Sequence, residues 1–186
     1  MEHVKVSQQL FSEIYETHYK RVYNYISYQI NNHLDTEDLV SQVFSKVIDK
    51  YGQFNPKRAA LSTWIISIAR NTVSDYYRAG QKGVLIEIDS LEQIPASCDE
   101  PDDILIRNEQ NRALLEALNT LTDRERNLIA LKYGADLGNK EIARVMALTE
   151  SNVGVLLFRS LQKMRSYFIK EESECKEIAS KIGKIC

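Results

Sequence analysis

The chain has 186 residues, of which 44% are hydrophobic, and 24 Lys or Arg against 26 Asp or Glu leave it at net −2. That length supports one sizeable domain or two small ones. The charge argues against strong autonomous duplex binding, because neutralising phosphates supplies most of such a protein's affinity. With only seven Gly and three Pro, and with helical periodicity dominant, the expected fold class is all-α. No stretch approaches the eighteen apolar residues of a membrane span, and the opening MEHVKVSQQLF lacks a basic segment followed by an apolar run. No membrane insertion and a cytoplasmic location are therefore expected. Cys98, Cys175 and Cys186 are odd in number and widely spaced, and His3, His18 and His33 lie far from them. They form no zinc-ligand pattern and read as free thiols. The sequence holds no Gly-rich phosphate loop and no nucleophile elbow, so neither an enzyme nor a cofactor is expected.

In chain order, Leu10, Phe11, Ile14, Val22, Ile26 and Ile30 recur at helical spacing, with Tyr15, Tyr19, Tyr23, Tyr25 and Tyr28 between them. His18 on that stripe reads as a satisfied core histidine. After a polar break at Asn31 to Leu34, Asp35-Thr36-Glu37-Asp38 starts a helix, since carboxylates meet unpaired amides and the positive end of the dipole there. Leu39, Val43, Val47 and Tyr51 form its seam, with Val40, Phe44 and Ile48 beside it. Glu37, Asp38, Ser41, Gln42 and Lys46 remain outside. Ser62 is the expected cap of the next helix, which turns Ile65, Ile68, Ala69, Thr72, Val73 and Tyr76 to a core. Its other side carries Ser67, Arg70, Asn71, Ser74, Tyr77 and Arg78. Guanidinium, amide and aromatic groups on one face suit single-stranded nucleic acid, where bases stack and phosphates pair. Trp64, the only tryptophan, reads as core.

Gly80 to Gly83 ends that helix. From Leu85 to Gln110 there are eight acids and one base, Arg107, with Pro95 and Pro101 breaking any long helix. This is an acidic flexible linker, and roughly twenty extended residues could span about 65 Å. Helical period resumes through Ile104, Leu105, Leu114, Leu115 and Leu118. Thr122 and Glu125 make a capping box for a helix reaching about Tyr133, with Gly134 as its C-cap. Two further stripes, Ile142, Ala143, Val145, Met146 and Val153, Leu157, Leu161, Met164, flank Ala147-Leu148-Thr149, and Asn139 and Thr149 stand where N-caps belong. That is a helix-turn-helix, whose second helix can face a major groove. Paired amphipathic helices also occur in bundles without DNA. Here, however, Leu121 to Lys170 carries nine basic residues against five acids, a basic unit inside an acidic chain. The organisation expected is a helical domain over 1–84, the linker over 85–108, a helix-turn-helix domain over 109–170 and an extension over 171–186 with no readable role.

Three blocks, DTEDLVSQVF from Asp35, STWIISIARNTVSDYYR from Ser62 and the segment from Leu121 to Arg165, together resemble a bacterial RNA polymerase sigma factor of the extracytoplasmic-function type. This is the minimal kind, with regions two and four only. The resemblance implies a transcription initiation subunit that binds core RNA polymerase and directs it to promoter DNA. It implies that Asp35, Glu37, Asp38, Leu39, Gln42 and Phe44 dock on the polymerase. Arg70, Asn71, Asp75, Tyr77 and Arg78 would hold the unpaired minus-ten strand. Lys140, Ser151, Asn152, Arg159, Lys163 and Arg165 would contact the minus-thirty-five duplex. An anti-sigma factor is a further candidate partner, with region four its usual seat. The alternative is a freestanding helix-turn-helix regulator with a sensory N-terminal half, which would bind duplex by itself. One departure stands out: Gly154, Val155 and Leu156 occupy recognition-helix positions that are often polar or basic. That points to thinner hydrogen-bond readout with more thymine-methyl or shape readout, or to Leu156 and Phe158 serving a protein partner.

Overall fold

The computed structural model describes residues 7–30, 32–79 and 113–182, the last twelve of these as backbone only. Every regular element among the described residues is helical. They are α1 (Gln8–Ile30), α2 (His33–Lys50), a 3-10 turn (Tyr51–Gln53), α3 (Leu61–Arg78), α4 (113–119), α5 (Asp123–Ile129), a π-turn (Ala130–Gly134), α6 (Asn139–Met146) and α7 (Glu150–Ile182). The acidic linker, Cys98 and Cys186 lie outside the described residues. The backbone of α7 continues through residue 170 into the C-terminal extension without a break.

The first three helices pack as a bundle around Val22, Ile26, Val43, Val47, Ile65, Ile66 and Ala69, all essentially inaccessible to water. All but Ile66 come from the apolar stripes read in the sequence, and burying a Val or Ile side chain contributes roughly 1.5–3 kcal/mol. The second unit encloses Leu118, Leu128, Leu131, Ile142 and Val153 in the same way. The two units share one continuous apolar cluster, with α1 lying against the π-turn. At that crossing a Cβ on Gly134 would sit 3.0 Å from both the Asn24 carbonyl oxygen and the Tyr25 amide nitrogen. Only a glycine allows the backbones this close.

Helix starts differ from expectation in three places. Helix α2 begins at His33, because Asn32 caps it through a bond from the Asp35 amide to Asn32 Oδ1. Helix α3 begins at Leu61 with Ala60 at the cap and no side-chain bond there, so Ser62 lies inside the first turn. Asn139 is likewise inside α6, whose cap is Gly138, and the Glu141 carboxylate accepts from the Gly138 amide at 2.9 Å. Caps are hard to place to one residue because several polar side chains compete for the same orphan amides. The Thr122 box is present with both of its bonds, and Thr149 Oγ1 accepts from the Asn152 amide. Gly134 closes a π-turn that follows α5, rather than capping a longer helix.

Candidate functional site

The outer face of α2 follows from its seam. With Leu39, Val40, Val43, Phe44 and Val47 buried, Glu37, Asp38, Ser41, Gln42 and Ser45 are left in water. Leu39 and Phe44, both expected to touch a partner, are each 3% exposed. They are part of the core, Phe44 with its ring 4.7 Å from that of Tyr15 on α1. Asp35 is half-buried and accepts from the Tyr76 hydroxyl at 2.7 Å. Burial first, and then this bond, raise the Tyr76 pKa. The sequence reading missed Leu34, 74% exposed, and Ile48, 39% exposed. They flank the acidic residues on the same face of α2. The one signal for Leu34 was an apolar residue inside a polar break.

Along α3 the expected core residues are buried, except that Tyr76 is only partly so. Asn71, Asp75 and Arg78 are exposed, with Arg78 Nη1 3.1 Å from Asp75 Oδ1. Arg70 and Tyr77 point elsewhere. Arg70 Nη1 donates to the Val145 carbonyl at the end of α6 at 3.1 Å, and the Tyr77 hydroxyl donates to the Gln29 carbonyl. The five residues assigned to one strand-holding face are therefore divided: three lie in water and two at contacts with neighbouring elements. Trp64 is half-buried with its ring 5.4 Å from Phe54, a packing role.

In the second unit, Ala147 turns the corner between α6 and α7 in the left-handed conformation, φ 53°. Leu148 packs into the bend. Val153, Leu157, Ser160 and Met164 face inward, so Ser151, Val155, Phe158, Arg159 and Gln162 point outward from α7. Lys140, Ser151, Asn152, Arg159, Lys163 and Arg165 are all exposed. Lys163 Nζ pairs with Glu125 Oε1, which lowers the Glu125 pKa, together with the bond from the Thr122 amide. The sequence reading placed Leu161 on the inner stripe, yet it is 40% exposed.

Between the two units runs a set of polar contacts that sequence reading did not find. The Tyr25 hydroxyl and the Gln29 amide both donate to Asn127 Oδ1, at 2.8 and 3.1 Å. Thr63 donates to Glu141 Oε1 at 2.7 Å, and Arg21 to Asp136 Oδ2 at 3.1 Å. Burial of Tyr25 raises its hydroxyl pKa strongly, so it stays a donor. Among the described residues no group of His, Cys, Asp or Glu is placed to hold a metal ion.

An acidic helix face thus lies in one small helical unit and a basic helix-turn-helix in the next. The Sigma-70 region 2 family model matches residues 14–83 and the Sigma-70 region 4 model matches residues 111–164. The chain belongs to the sigma-70 family and, within it, to the extracytoplasmic-function type. It is 28% identical over 156 residues to the ECF RNA polymerase sigma factor BldN of Streptomyces coelicolor, covering 83% of this chain and 58% of BldN. It is 26% identical over 171 residues to the ECF RNA polymerase sigma factor SigX of Bacillus subtilis, covering 89% of this chain and 88% of SigX. The fold resembles that of the sigma factor RpoE solved with the anti-sigma factor NepR from Bartonella quintana, with TM-score 0.66 and 18% identity over 85% of this chain and 96% of RpoE. The region 2 match accounts for the N-terminal half and disfavours the freestanding-regulator reading.

Proposed function

We infer that this chain is a promoter-specificity subunit that binds core RNA polymerase and acts by recognition rather than catalysis. The observation that carries the inference is the order of two built surfaces: the acidic outer face of α2, then the exposed basic outer face of α7. On α2, Glu37, Asp38 and Gln42 supply charge and polarity, and Leu34 and Ile48 supply apolar contact at its ends. Asp35, Leu39 and Phe44 serve by positioning the helix. On α3, Asn71, Asp75 and Arg78 stand ready for an unpaired minus-ten strand, and Arg70 and Tyr77 join them once their present partners are exchanged. On the helix-turn-helix, Ser151, Asn152 and Arg159 face the minus-thirty-five major groove, with Lys140, Lys163 and Arg165 on phosphates.

The cell compartment that fits such a subunit is the cytoplasm, and no helix of the described residues is long and apolar enough to cross a membrane. An anti-sigma factor is a further proposed partner. The test is titration of the purified chain with core polymerase, followed by transcription from a library of promoter fragments. Tight core binding with new, sequence-defined start sites supports the reading. Failure to bind core, together with specific duplex binding by the chain alone, removes it.

A further inference from the structure

Gly154 lies in the second turn of α7, and a Cβ built on it would meet nothing within 4 Å. A helical glycine lowers helix stability relative to alanine, and here no packing among the described residues requires it. Beside it, Val155 is 46% and Phe158 64% exposed, on the same outward face as Ser151, Arg159 and Gln162. The strip is apolar at its centre and flanked by Arg159 and Arg165. A partner that is apolar in one small patch but anionic around it matches that layout. In a duplex major groove, the thymine C5-methyl is the apolar group and the phosphates lie on either side.

We propose that Gly154, Val155 and Phe158 determine minus-thirty-five specificity by close contact with thymine methyl groups, Gly154 letting the helix backbone approach the base edges. This rests on the reading of the second unit as the minus-thirty-five binder. The experiment uses holoenzyme made from this chain and core polymerase on a promoter selected from the library. Each minus-thirty-five thymine is replaced in turn by deoxyuridine, which removes only the methyl. Binding weakens by about fourfold per contacted methyl. In Phe158→Ser holoenzyme that discrimination falls towards one, while Gly154→Ala raises the melting temperature and weakens minus-thirty-five binding. Equal binding to thymine and deoxyuridine promoters, with a minus-thirty-five footprint present, overturns the proposal and leaves the function standing. Absence of any footprint there removes the functional reading of the second unit itself.

Discussion

At the scale of single residues, Asn127 carries more than its position suggests. Its Oδ1 accepts from both Tyr25 and Gln29, and Tyr25 is 1% exposed. Asn127→Ala removes the acceptor from a buried hydroxyl, and an unsatisfied buried donor costs about 1–3 kcal/mol. Urea unfolding of the variant should show a loss of that size. Asp38 is the opposite case, exposed and without structural duty. Asp38→Arg should leave the melting temperature within about 1 °C of the parent, because surface substitutions rarely matter to folding. It should abolish core polymerase binding by reversing charge on the docking face. Unchanged core affinity in a titration would remove α2 from the docking assignment.

At the scale of elements, α5 shows how one local motif ties into tertiary structure. Thr122 and Glu125 close a capping box, and Glu125 also takes the ammonium of Lys163 from α7. Thr122→Ala should destabilise by about 1 kcal/mol, as read by thermal unfolding. The hydrogen bond from Lys163 is the largest cause of the depressed Glu125 pKa, which falls from its ordinary 4.5. A depressed carboxyl contributes stability that is present above the unfolded-state value and is lost as pH falls through the folded one. Glu125→Gln keeps the cap geometry but not the charge. Its deficit against the parent should therefore shrink as pH drops below about 4.5. Gly134→Ala tests the α1 crossing. The added Cβ meets backbone atoms at 3.0 Å, which cannot swing aside. Overpacking of that kind costs about 1–3 kcal/mol, and faster hydrogen exchange at the Tyr25 and Ile26 amides should report it.

The same elements show what a sequence reveals. The stripes of α1, α2, α3 and α7 are visible because burial repeats every three or four residues, and the Thr122 box because both partners lie within one turn. Leu39 and Phe44, which the resemblance assigned to docking, are buried in the free chain, because a family motif marks a segment without saying which side of it faces inward. The polar contacts between the two units left no local trace. Tyr25 and Asn127 are 102 positions apart, and a hydrogen bond over that separation imposes no spacing on either neighbourhood. Arg70 reads as a free cation from α3 alone, and only the arrival of α6 shows its guanidinium in use.

For the whole molecule, charge is divided more sharply than its net −2 implies. The basic helix-turn-helix belongs to a chain whose first unit carries an acidic helix face and whose linker sequence is acidic. Repulsion from those acids should hold the free chain's promoter-duplex affinity near the non-specific range of about 10⁻⁴ to 10⁻⁶ M at physiological salt. Fluorescence anisotropy on a labelled promoter would show it, and addition of core polymerase should tighten binding by orders of magnitude. Specific nanomolar binding by the chain alone would contradict this division of labour.

Helix α7 runs unbroken from Glu150 to Ile182, 33 residues, or about 50 Å of rod. Its first turns carry the outward-facing Ser151, Val155, Phe158 and Arg159, Tyr167 and Phe168 then pack against the core, and the backbone continues as one helix to Ile182. A helix of this kind transmits rotation along its axis far better than a loop would. On the proposed function, a partner that seized the far end would act along the same helix as the side chains proposed to read bases. On that proposal the tail would be a handle on promoter choice, set apart from the surface that makes the choice.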